Sequence, residues 1–401
     1  MSTKRPLAPP GRLLDSNALV DEFVAKEISR RQMVRGVMMS TVGGWLGATG
    51  LAACGNEPVD GVDDELLRRD AGPRDGGSDG GLRDAAVPST AHLVGMGYHA
   101  TRRDDALVAA LAETIGLGMI RRGQSVYLRV NSNSGDLYPY STSPDTLMAV
   151  GGMLKDIGVT DIRIGDRSFW GDPDTKGNLV ANGIAGAAQR LGTRAVVFDD
   201  TVPWVTIPPS MVPNWTGTVR LPAAATTADH MIILSCVKTH FIATVTMSLK
   251  ISLGLVHPTD RARAGNLKTH DTRVLYKQTA QINKAFTPSL VIQDGYSAVI
   301  SGGPTTTDVP PNAPASFRGG IVGNPKVFIV STDRIAADVA GIAVLQTVSP
   351  SYEEVMLTKP FKNPQIMESV AAGLGITGPA AFDLSGPTVP NLATYKAKVT
   401  A

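Results

Sequence analysis

Lys238, His240 and Lys250 lie close together in the sequence and are residue types that proton transfer and covalent catalysis use. A neutral imidazole moves protons near pH 7, and a lysine in apolar surroundings becomes a free amine. They belong to residues 229–257, which also contain His230 and His257 and so hold three of the chain's six histidines. The apolar run 230–237 reads as a buried strand with Lys238-Thr239-His240 at its carboxyl end, the edge of an open α/β sheet where ligands bind. Residues 241–256 have helical length and no proline before Pro258, which predicts a helix over 243–256. On such a helix Thr246, Lys250, Gly254 and His257, spaced by four, four and three, share one face. Any one of these His or Lys residues, taken alone, is better explained as the solvated end of a strand or helix. Together they predict a pocket.

The elements that must position this cluster follow from periodicity. Short apolar runs at 92–98, 125–130, 161–164, 195–198, 231–237, 290–293 and 326–331 read as strands. Helix-period segments at 104–115, 144–157, 178–191, 243–256, 272–286 and 334–348 alternate with them. This predicts an α/β fold over residues 91–401: a mainly parallel sheet flanked by helices, as one unit or two α/β lobes. A Pro/Trp/Thr-rich passage at 201–227 reads as a long loop or small β insertion, and one at 302–320 as a lid or ordered loop. Several strand ends carry polar residues that could meet the cluster: Asn131, then Thr142 and Ser143, then Asp166 and Arg167, and Asp294. Ser143 before Pro144 has the form of a helix N-cap, and a helix start of that kind also offers free N–H groups to an anion. Asp333 reads as a second cap, with Asp338 about a turn further on.

Before this domain the composition is different. Ser29-Arg30-Arg31-Gln32-Met33-Val34-Arg35 has the paired arginines of a twin-arginine leader, and a moderately apolar, glycine-broken run follows. That run is too weak for a good membrane span. It ends in Leu51-Ala52-Ala53-Cys54, which resembles a bacterial lipobox. Residues 1–53 therefore read as a twin-arginine lipoprotein-type signal, with Cys54 the lipidation site and the twin-arginine machinery the export partner. The expected location is the cell envelope, tethered to a membrane by lipid. Residues 54–90, rich in Gly, Asp and Arg, bury too little apolar surface to fold and read as a disordered acidic tether. Beyond the leader the charges nearly cancel, so nucleic-acid binding is not expected. With Cys54 lipidated, Cys236 is the one thiol left, which makes an iron–sulfur cluster held by four cysteines of this chain untenable. Cys236, within an apolar strand, reads as a small buried hydrophobe.

These motifs in this order resemble the uncharacterised bacterial and archaeal family called domain of unknown function 362. The resemblance runs from about Ser125 to Val348. It rests on Asn131, Thr142-Ser143-Pro144, Gly165-Asp166-Arg167-Ser168, Lys238-Thr239-His240, Thr246/Lys250/Gly254, Asp294-Gly295, and Ser331-Thr332-Asp333 with Asp338. Many members carry a ferredoxin-like cluster segment for which this chain lacks the cysteines, and Ile251 stands where Asn usually follows the helix lysine. A more distant similarity is to nickel-pincer lactate racemases. That resemblance implies His240 as a proton-transfer histidine, Lys250 as the lysine tethering the pincer, and His257 or His270 as ligand to a transition metal such as nickel. That family's first catalytic histidine has no counterpart near residues 165–168, where Asp166 stands instead.

The expected function is that of an exported, lipid-anchored enzyme acting on a small carboxylate- or phosphate-bearing substrate, by metal-assisted proton transfer or isomerisation of the racemase kind. Its catalytic residues would be His240, Lys250 and Lys238; its substrate contacts Asn131, Thr142, Ser143, Asp166, Arg167, Thr246 and Asp294. The alternative is a lipid-anchored ligand-binding protein with no chemistry.

Overall fold

The computed structural model describes residues 91–169, 174–266, 272–304, 320–348 and 358–400. The expected leader and tether, Cys54, His270 and residues 305–319 of the second irregular passage lie outside the described residues.

In chain order the strands that matter are β1 (Val94–Tyr98), β2 (Ser125–Arg129), β3 (Asp161–Asp166), β4 (Ala195–Val197), β5 (Trp204–Thr206), β6 (Arg220–Pro222), β7 (His230–His240), β8 (Thr244–Val245), β9 (Leu290–Ser301), β10 (Ile321–Gly323), β11 (Val327–Ser331) and β12 (Leu384–Ser385). The helices longer than four residues are α1 (Arg103–Ala112), α2 (Pro144–Ile157), α3 (Thr175–Ala181), α4 (Ile184–Arg190), α5 (Met247–Ile251), α6 (Thr272–Lys284), α7 (Arg334–Val348), α8 (Pro364–Ala371) and α9 (Leu392–Thr400). All the strands but β5 and β6 join one ten-stranded sheet, ordered β12-β1-β11-β9-β7-β2-β3-β4, with β10 on β9 and β8 on β7. From β9 to β4 every neighbour is parallel, whereas β11 runs antiparallel to both β9 and β1. The α/β fold expected from the periodicity is therefore present, as a single mostly parallel mixed sheet. The passage at 201–227 contains a β insertion, the separate antiparallel pair of β5 and β6.

Alternation sorts the strand side chains to two faces. Leu128, Ile232 and Ile292 pack with Leu107, Leu147, Val150 and Leu154 of α1 and α2. Their neighbours Ile233 and Val291 pack with Leu253, Leu275 and Ile282 on the other side. β2 and β11 are covered on both faces and buried at every position, which is why their interior residues 126–128 and 327–330 are uninterruptedly apolar. α2 starts as expected. Ser143 Oγ accepts from the amides of Asp145 and Thr146 at 3.2 and 3.5 Å, Pro144 takes the first helical position, and Gly158 closes the helix at φ 94°. α7 is buried on almost every side, so its polar Asp338 is enclosed in the core.

Two expected helices break. Residues 178–191 form α3 and α4, interrupted at Gly183, whose φ of 82° a continuous helix forbids. Residues 243–256 do not form one helix. β7 continues through Lys238-Thr239-His240, the chain turns back as β8, and then come α5, a 3₁₀ turn Ser252–Leu255 and a helical turn Pro258–Arg261. Thr244 and Met247 have positive φ values of 61° and 37°, which bar a helix starting at 243. The face proposed for Thr246, Lys250, Gly254 and His257 is consequently lost as a helical face.

Candidate functional site

β7 is longer than the strand beside it. Its pairing with β2 ends at Ile233 opposite Arg129, so the remainder of β7 projects past the carboxyl end of β2. Lys238 and His240 stand on that projection, and Arg129 and Asp166 are the last residues of β2 and β3. α5 then brings Thr246 and Lys250 back across the same edge. The resulting cavity is lined by Arg129, Asn131, Asp166, Arg167, Lys238, His240, Thr246, Lys250, Gly254 and Arg261, with Phe169, Ile251, Leu253 and Leu275 among its apolar walls. It lies at the carboxyl edge of the parallel strands, where ligands are expected.

Charge is the dominant property of this cavity. Arg129 pairs with Asp166 at 2.8 Å, both essentially buried, and also donates to the carbonyls of Val130 and Ile251. Asp166 further accepts the amides of Ser132 and Arg167, each at 2.6 Å. Burial pushes its carboxyl up from the ordinary value, opposed by Arg129 and these two amides. Lys238 is fully buried and donates to the Tyr140 carbonyl. Loss of hydration lowers its ammonium to about 8. The Lys250 side chain makes no hydrogen bond or ion pair among the described residues; burial first, then the Lys238 and Arg261 charges, lowers its ammonium to about 7. Arg261 is buried and gives Nη2 to the Ser168 carbonyl at 2.9 Å, while its Nε meets no partner. The Thr246 hydroxyl is likewise buried without a partner. His240 Nδ1 accepts the amides of Ile242 and Ala243 at 3.1 and 3.3 Å, which assigns the proton of the neutral ring to Nε2.

α5 has five residues and cannot hold its own geometry, so the core holds it. The Asp338 carboxylate accepts the Ser248 amide at 2.9 Å, the Ser248 hydroxyl at 2.5 Å and the Leu249 amide at 3.1 Å, and Gln293 Nε2 donates to it at 2.5 Å. At the other end Asn283 donates to the Leu249 carbonyl at 2.9 Å and accepts the Ser252 hydroxyl at 2.9 Å. Lys250 is thus clamped from both sides. Gly254 follows for a steric reason, since a Cβ there would overlap the Arg129 guanidinium and the Asp166 carboxylate.

Of the residues singled out from the sequence, Asn131, Asp166, Arg167, Lys238, His240, Thr246 and Lys250 meet in this cavity. Four others do not. Asp294 was expected beside His240 and Lys250, but its side chain accepts from Thr146 at 2.6 Å, Tyr138 at 2.5 Å and Arg103, under α1 and α2. Gln293, its neighbour on β9, is the residue that faces α5, so one step of strand alternation separates Asp294 from the site. Ser143 is occupied as the α2 cap. Thr142 donates to the Leu234 carbonyl at 2.7 Å and accepts the Asn131 amide at 2.8 Å, tying the loop to β7. His257 is turned away: Nδ1 accepts from Arg220 and Thr259, and Nε2 donates to Asp200 at 2.8 Å. Both nitrogens being engaged, His257 does not offer a ligand to a metal held by Lys250. Among the described residues no group of three or more His, Cys, Asp or Glu comes together as a metal site. Of the two histidines that the racemase resemblance implies as nickel ligand, His257 is thus occupied elsewhere, and His270 lies outside the described residues.

Arg129 and Arg261 were not anticipated. A charged residue inside the apolar run 125–130 was the available signal for Arg129. Arg261, on a polar segment of ordinary appearance, gave none. Cys236 is buried and unpaired, and burial lifts its thiol to about 11, which agrees with its reading as a small core residue.

The comparisons with known proteins add a family. A family model described as Domain of unknown function (DUF362) matches residues 126–343, more than half of the chain and a span that contains every residue lining the cavity. No curated protein and no solved structure matches the chain.

Proposed function

The chain belongs to the DUF362 family, which is defined without an activity, and from the chemistry of the cavity we propose that it is an enzyme that moves a proton on a small anionic, carboxylate- or phosphate-bearing substrate. The observation that carries this is the charge balance. Arg129, Lys238, Lys250 and Arg261 line a cavity whose one described carboxylate, Asp166, is already paired with Arg129. Buried cations without counter-charges are costly, and an anionic occupant offsets that cost. Lys250, with its ammonium lowered to about 7, supplies a free amine at neutral pH. In the proposed step the Lys250 amine takes a proton from the substrate, becomes an ammonium, and returns the proton at another position or face. The His240 Nε2–H and the Lys238 ammonium stabilise the negative charge that develops on oxygen. Atoms and charge balance without a further reactant, giving an isomerisation.

The test is exchange of substrate hydrogen with D₂O, followed by mass spectrometry, over a set of hydroxy acids and phosphate esters. Lys250→Met is expected to lose about 10²–10⁴-fold in exchange rate while still binding anions. The kcat/KM for exchange should rise with pH through about 7 as the amine of the free protein deprotonates. Anion binding with no exchange and no turnover would instead identify a ligand-binding protein.

The same proposal places the domain in the envelope. Arg30-Arg31 and Leu51-Ala52-Ala53-Cys54 support twin-arginine export and lipid attachment at Cys54. No helix among the described residues is long and apolar enough to cross a membrane.

A further inference from the structure

Resting on the anionic-substrate reading above, we propose that the occupant of this cavity carries at least two negative charges at neutral pH, as a phosphate monoester or dicarboxylate does, and that Arg261 and Lys238 recognise the second charge. Arg129 is neutralised by Asp166, so that pair is internally balanced. Arg261 and Lys238 have only carbonyl acceptors, from Ser168 and Tyr140, and Lys250 has no acceptor among the described residues. No carboxylate among the described residues pairs with any of the three. A carbonyl dipole satisfies a donor but does not cancel a charge. Even with Lys250 as the free amine, two cations stay uncompensated, and a monoanion would leave one of them so. The buried donors that lack partners, Arg261 Nε and the Thr246 hydroxyl, stand in the same cavity wall and add hydrogen-bonding capacity that an oxygen-rich dianion can use.

Proton linkage gives this inference a second signature. An anion beside Lys250 and Lys238 favours their charged forms, so binding takes up protons and weakens as pH rises through 7 to 8.

Titration calorimetry of the full chain at pH 7 tests it, with inorganic phosphate, glycerol phosphate and malonate against acetate and lactate. The dianions are expected to bind at least about tenfold more tightly than the monoanions, with proton uptake seen as a buffer-dependent heat. Arg261→Gln should bring the two classes to within about threefold of each other, and Arg261→Lys should restore part of the gap, which separates loss of charge from loss of fold. Monoanions binding as well as dianions, or an unchanged ratio in a folded Arg261→Gln protein, would overturn the dianion inference and leave the anionic-substrate reading standing. No binding of any of the five anions would overturn both.

Discussion

Lys250 is the residue in which sequence, burial and chemistry converge. Its amine has lost water and faces Lys238 and Arg261 rather than a carboxylate, so its ammonium falls from 10.5 to about 7. The unfolded chain then holds this proton more tightly than the folded one. Stability from this group is therefore lowest below pH 7 and is regained as pH rises from about 7 towards 10.5. Urea midpoints across that range should rise with pH in the wild type, and Lys250→Met should remove much of that slope and raise the midpoint at pH 7; parallel curves for the two proteins would refute the assignment. His240 was legible as a partner because it lies two residues beyond Lys238 at the end of an apolar run. His257 was not excluded by its spacing, since what removes it is the hydrogen bonding of Asp200, Arg220 and Thr259 around its ring.

At the scale of the element, α5 is a short helix whose position is imposed. Asp338, inside the buried helix α7, accepts four donors, three of them from α5. Burial pushes its carboxyl up to about 7, against the hydrogen bonds from Ser248, Leu249 and Gln293. Asp338→Asn turns an acceptor into a donor facing donors, which should cost about 1–3 kcal/mol in urea unfolding. Because Asp338 touches α5 and not the cavity, the variant should lower kcat through a displaced Lys250 while leaving KM close to wild type. Equal losses in both, with unchanged stability, would count against a positioning role. The sequence announced Asp338 only as a polar residue in an apolar helix. Its partner could not be read there, since Ser248 lies 90 residues away and the intervening β9 brings Gln293 between them. The expected helix over 243–256 failed because apolar content and absence of proline describe a turn, a strand and short helical pieces as readily as one helix. The positive φ values of Thr244 and Met247 decide between them.

For the whole molecule, the export and lipid attachment proposed above have a direct test. Cys54→Ser should release the protein from the membrane fraction into the soluble one, and the intact mass of the wild type should include a lipid on Cys54; an unmodified wild type in the soluble fraction would remove the anchor from this account. By itself the sequence determined the alternation of strands and helices, the Ser143-Pro144 start of α2, the burial of Cys236 and the placing of Lys238 and His240 at a strand's carboxyl end. Each of these follows from local periodicity, capping or apolar content, which adjacent residues fix. Only the tertiary structure decided that Arg129 and Arg261 join the cavity, that Asp294 faces the opposite side of the sheet and that His257 is withdrawn. Those outcomes depend on strand register and on how far β7 runs past β2. Register is set by pairing between segments far apart in the chain, and one residue of alternation is enough to move a side chain from the site to the far face.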